Sequence, residues 1–109
     1  METLSTFAKR KCCLVKEHPD HESPTSKDVK DLLYLNNWTY ADAAKLTGVA
    51  VTAKGSSPTV QRWCTKESSS DHRDIPYSAW LVLLTYSSLV ICNMKQANKI
   101  INGKLTSGN

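Results

Sequence analysis

The sequence predicts an all-α fold, a small domain of four to five helices, and three observations lead there. Apolar residues recur at helical spacing in several separate segments. Threonine, serine or proline opens these segments, and asparagine or glycine closes some of them. The few β-prone stretches have no evident partner strand. With 109 residues, 40% of them hydrophobic, the chain has material for one modest core. The expected organisation is an arm and linker over residues 1–24, a folded domain over 25–92 and a C-terminal helix and tail over 93–109.

From Met1 to about Glu22 no period is sustained, and the polar run from His18 to Pro24 contains two prolines. A flexible N-terminal arm is expected there, with at most a short strand through Cys12, Cys13, Leu14 and Val15. Thr25 or Ser26 can accept hydrogen bonds from free amides at a helix start, and Asp28 suits the positive end of the helix dipole. Val29, Leu32, Leu33 and Asn36 follow at helical spacing, which predicts a first helix from about Lys27 to Asn36. Thr39 caps a second, Tyr40 to Leu46, with Ala43, Ala44 and Leu46 as its apolar face and Gly48 as its stop. Ser56 or Ser57 caps a third from Pro58 to about Cys64, where Pro58 fits the first turn because its missing N–H has no acceptor there. Lys66 to Arg73 is polar loop. Ile75 and Pro76 then open a longer helix that turns Trp80, Leu83, Leu84 and Ser87 inward. The pattern Met94, Ala97, Ile100, Ile101 predicts a last helix ending at Gly103, followed by a flexible tail.

The net charge of +4 is concentrated at the two ends. Lys9, Arg10, Lys11 and Lys16 form a basic arm, and beyond Asp74 the only charged residues are Lys95, Lys99 and Lys104. That distribution suits a polyanionic partner. The longest apolar run, Ala79 to Cys92, is broken by Thr85, Tyr86, Ser87 and Ser88 and falls short of the roughly 20 apolar residues that span a bilayer. Without an apolar leader at the N-terminus, a cytoplasmic, reducing location is expected, and with it no disulfides.

The second and third helices carry the functional signal. A helix-turn-helix needs small residues where its helices touch, glycine at the turn, apolar anchors under the second helix and polar residues outside it. Ala44 supplies the small contact, Gly48 the turn, Val49 the residue beneath it, and Val60 with Trp63 the anchors. Ser57, Thr59, Gln61 and Arg62 remain for the outside. Glutamine binds adenine and arginine binds guanine through paired hydrogen bonds, and a threonine methyl packs on thymine. Thr39, Tyr40 and Ser56, at helix starts, and Lys54 and Lys66, beside them, suit phosphate contacts.

In Ala43, Ala44, Gly48 and Val49, the run from Ser57 to Trp63, and the run from Ile75 to Trp80, the chain resembles the helix-turn-helix domains of phage Cro and repressor proteins and their relatives on plasmids and other mobile elements. The resemblance covers roughly Lys27 to Val90. It departs in one place, where Ala50 to Gly55 are inserted between the glycine-valine turn and the serine that opens the third helix. The resemblance implies insertion of that helix into a major groove of double-stranded DNA. One such helix reads only a few base pairs, so a homodimer on half-sites about 34 Å apart, or multiples of that, is expected.

Other assignments fit these features less well. Cys12 and Cys13 with His18 and His21 offer metal-ligand chemistry, but adjacent cysteines cannot easily share a tetrahedral ion. Cys64 and Cys92 fall in apolar helical patterns, where cysteine is a small hydrophobe. His18, His21 and His72 lie in polar loops without a nucleophile or orienting partner, which argues against an enzyme. Trp38, Trp63 and Trp80 are spaced with leucines as core residues rather than as a base-stacking platform. The basic arm fits a minor groove as well as it fits a solvated tail.

The expectation is therefore a sequence-specific DNA-binding transcriptional regulator, a repressor of phage or plasmid type, with no cofactor, metal, membrane or small-molecule ligand. An architectural DNA-binding accessory protein and a protein-binding adaptor on the same scaffold are the alternatives.

Overall fold

Among the described residues, three of five α-helices open on a threonine capping box. The computed structural model describes residues 2–89 and Ile101, and among these it contains α1 (Leu4–Phe7), a 3-10 turn (Lys11–Cys13), α2 (Ser26–Asn36), α3 (Tyr40–Thr47), α4 (Pro58–Trp63) and α5 (Tyr77–Tyr86). No strand occurs among the described residues. Thr3 with Thr6, Thr25 with Asp28 and Thr39 with Asp42 each exchange side-chain and backbone hydrogen bonds, satisfying two amides that the helix leaves free. Asn37 ends α2 at φ 58° and Gly48 ends α3 at φ 81°, both left-handed. The helix expected from Met94 and the tail lie outside the described residues, apart from Ile101, which is exposed.

α5 is the centre of the core. Trp80, Leu83 and Leu84 are buried and meet Val29 and Leu32 of α2, Ala43 and Ala44 of α3, and Val60 of α4 in one cluster. α3 packs against both α4 and α5. The alanines, both fully buried, permit this because a methyl group adds little between two backbones. Ser87 faces inward too: Asn36 Nδ2 donates to its Oγ at 2.9 Å, and that hydroxyl donates to the Leu83 carbonyl at 2.8 Å, joining the ends of α2 and α5.

The N-terminal segment is not a flexible arm, and its cysteines form a 3-10 turn rather than a strand. Phe7 is fully buried, with its ring centroid 6.2 Å from that of Trp80. The Trp80 indole N–H donates to the Cys12 carbonyl at 2.8 Å. Arg10 lies over the Phe7 ring, 4.3 Å from its centroid, and its guanidinium bonds Glu2, Asp28 at 2.7 Å and Asp31 at 2.9 Å. Burial opposes the Arg10 charge, but the hydrogen bonds it donates to Glu2, Asp31 and Asp28 outweigh it and raise its pKa. A side chain held by three carboxylates is not free for a minor groove. Burial of one aromatic ring, an indole hydrogen bond and this ion-pair network together hold the segment down.

No helix among the described residues is long and apolar enough to cross a membrane.

Candidate nucleic-acid interface

The Thr39 N–H donates to Asp42 Oδ2 at 2.9 Å, and the Asp42 N–H donates to Thr39 Oγ1 at 3.1 Å. The Thr39 backbone amide and side chain hold the Asp42 carboxyl below its ordinary pKa. The start of α3 thus already has an anion, and Thr39 keeps neither its amide nor its hydroxyl for phosphate. Tyr40 beside it is 37% exposed. At the other end of α3 the Gly48 and Val49 amides both reach the Ala44 carbonyl, at 2.8 and 3.0 Å, so the turn folds tightly onto the helix.

The six residues Ala50 to Gly55 form a closed loop rather than an extension of α3. The Thr52 N–H donates to the Ser56 carbonyl at 2.7 Å, the Gly55 N–H donates to the Thr52 carbonyl at 2.9 Å, and the Ser56 N–H donates to Thr52 Oγ1 at 3.2 Å. Gly55, at φ 78°, closes the loop in a conformation strained for other residues. Lys54 is exposed within it, while Ser56 is half-buried with its amide taken by Thr52.

Ser57 corrects the sequence expectation. It is fully buried, and its Oγ accepts the Val60 N–H at 3.3 Å, so it is the cap of α4 and not an outward contact. Pro58 occupies the first turn. From there the helix divides: Val60 and Trp63 are buried, while Thr59, Gln61 and Arg62 are exposed. Three residues of spacing place Val60 and Trp63 on one side, which leaves the intervening pair to solvent. Lys66, also exposed, starts the loop that follows. Among the described residues Lys54, Arg62 and Lys66 form no ion pair.

That loop returns to α4. The Arg73 N–H donates to the Arg62 carbonyl at 3.2 Å, and Asp71 joins Pro58, Gln61, Arg62 and Thr65 around a shallow depression. His72 fixes the return: one ring nitrogen lies 2.7 Å from the Thr65 carbonyl and the other 2.7 Å from Asp74 Oδ1. Both partners are acceptors, so both contacts are hydrogen bonds when the ring carries a proton on each nitrogen, and the pair favours the imidazolium. Asp74, then the Thr65 carbonyl, accordingly raises the His72 pKa. Glu67, in the same loop, accepts from the Ser26 N–H and Oγ at the start of α2. Asp71 and Arg73 were not singled out from the sequence, because only the return of an aperiodic loop places them beside α4.

Gln61, Arg62 and Thr59 on one helix give a surface with amide, guanidinium and methyl groups, bordered by one carboxylate. Among the described residues no group of three or more His, Cys, Asp or Glu side chains is placed to hold a metal ion. Neither the family models, nor the curated proteins, nor the solved structures contain a match to this chain.

Proposed function

We propose that the protein binds double-stranded DNA through a helix-turn-helix made of α3, the Gly48 turn with its closed loop, and α4, and that it regulates transcription by occupying a promoter. The observation that carries this is the division of α4: Val60 and Trp63 fix the helix to the core, and Thr59, Gln61 and Arg62 stand in solvent. Gln61 and Arg62 have the donor and acceptor groups that bind adenine and guanine through paired hydrogen bonds in a major groove. Lys54 and Lys66, exposed on either side of α4 in the sequence, suit phosphates. Binding by a homodimer, in the cytoplasm and without catalysis, completes the proposal.

Selection from a pool of random duplexes, followed by sequencing, tests it. Recovery of a recurring motif supports a sequence reader, and a pool still random after several rounds rejects it. Asp71 beside Arg62 favours one second reading, an adaptor that meets a mixed-charge protein surface. Under that reading Asp71→Ala weakens the protein's regulatory effect along with Arg62→Ala, whereas on DNA the loss of Asp71 removes a carboxylate that repels phosphate.

A further inference from the structure

An open groove of about 590 Å³ lies among α2, α3 and the end of α4. Chain geometry brings its aromatic residues together. Asn37 reverses the chain at its left-handed φ of 58°, the Trp38 N–H bonds back to the Leu33 carbonyl at 2.9 Å, and Trp38 and Tyr40 thereby return past Tyr34 of the last turn of α2. Buried Leu33 and Cys64 line the groove with these three rings. Tyr34 is 76% exposed, a large aromatic surface for a side chain beside a concave site.

Charge decides what the groove accepts. Asp31, its one carboxylate among the described residues, is held by Arg10 and by Lys27, each at 2.9 Å. Lys30, also on the lining, has no ion pair among the described residues. An aromatic box with a spare carboxylate selects cations. Here the carboxylate is neutralised and the spare charge is positive, which favours the opposite sign. The volume lies within the roughly 300–1,000 Å³ of small-molecule sites.

We propose that this groove binds a small planar aromatic anion, its ring among Tyr34, Trp38 and Tyr40 and its negative group at Lys30, the chemistry that a nucleoside monophosphate presents. The groove shares Tyr40 with the proposed DNA contacts but none of the exposed side chains of α4, and it stands whether or not those side chains read DNA.

Titration calorimetry and tryptophan fluorescence on the full chain test the proposal. Trp38 is the reporter because it alone of the three tryptophans lines the groove, and Trp63 and Trp80, buried in the core, give a constant background. The probes are adenosine monophosphate and 1-naphthoate, each a ring with an anion, against adenosine and ribose 5-phosphate, each one half alone. The ring-plus-anion probes are expected to bind and to change the fluorescence. Adenosine and ribose 5-phosphate are expected to bind at least about tenfold more weakly, as is adenosine monophosphate to Lys30→Glu or Tyr34→Ala. Both substitutions fall on exposed positions, so circular dichroism should show an unchanged fold. Failure of both ring-plus-anion probes to bind overturns the proposal. So does equal affinity for adenosine and its monophosphate, or unchanged binding in the two variants.

Discussion

Replacing Phe7 with alanine tests whether the N-terminal segment is part of the fold. The side chain has no exposed surface, it lies against Trp80, and Arg10 covers one face of its ring. Removing a ring from such a site costs about 3–5 kcal/mol, the transfer of the lost atoms plus the cavity left behind. A single domain has only about 5–15 kcal/mol in total. With a urea dependence of about 2 kcal/mol per molar, a cost of about 4 kcal/mol lowers the unfolding midpoint by about 2 M. The assay is urea denaturation followed by circular dichroism at fixed pH and salt. The Trp80 hydrogen bond to Cys12 and the ion pairs of Arg10 remain available in the variant, so the loss isolates the ring. A destabilisation within about 0.5 kcal/mol, the range of ordinary surface substitutions, refutes the docked segment and restores a free arm.

Ser57→Ala should lose about 1 kcal/mol of stability through the vacated cap of α4, whereas Thr59→Ala should leave the urea midpoint nearly unchanged and weaken only DNA binding. Gly48→Ala should cost about 1 kcal/mol in the same assay: no atom obstructs an added Cβ, but its φ of 81° is strained for a residue with a side chain. His72 binds its proton more tightly in the folded chain, so its contribution is fully present below the ordinary histidine pKa of about 6.5 and is lost as pH rises through the raised folded value. Urea midpoints measured across that range should show this loss in the natural chain and not in His72→Gln, and identical pH profiles would contradict the imidazolium.

Where the sequence signals are local, expectation and structure agree closely. The caps at Thr25 and Thr39, Gly48 and the Val60–Trp63 spacing depend on neighbours within four positions, and α2, α3 and α4 fall within a residue or so of their expected limits, whereas the Thr3 cap and α1 fall in the segment expected to be an arm. The docked N-terminal segment was illegible because its partners are distant: Arg10 meets residues 18 and 21 positions away, and Trp80 reaches Cys12 across 68. Ser57 failed as an outward contact for a related reason, since the rule that makes serine a cap gives no sign of how deeply the core buries it. Of the three tryptophans, Trp63 and Trp80 are buried in the core as their spacing suggests, and Trp38, half-buried and packed against that core, also lines a groove beside the reversal at Asn37. Tyr40, Lys54, Thr59, Gln61, Arg62 and Lys66 remain the proposed DNA contacts, while the phosphate contacts expected of Thr39 and Ser56 are dropped because their amides are already bonded within the chain.

On the proposed function, the exposed side of α4 reads base sequence. The most direct measurement of this is a competition gel shift with the duplex recovered by selection and a random duplex of equal length, for the natural chain, Gln61→Ala and Arg62→Ala. Each substitution is predicted to cost about 1–3 kcal/mol on the selected duplex and little on the random one, shrinking the ratio between them. Equal ratios for all three proteins would contradict the claim and leave only charge attraction, which falls steeply with salt on every duplex alike.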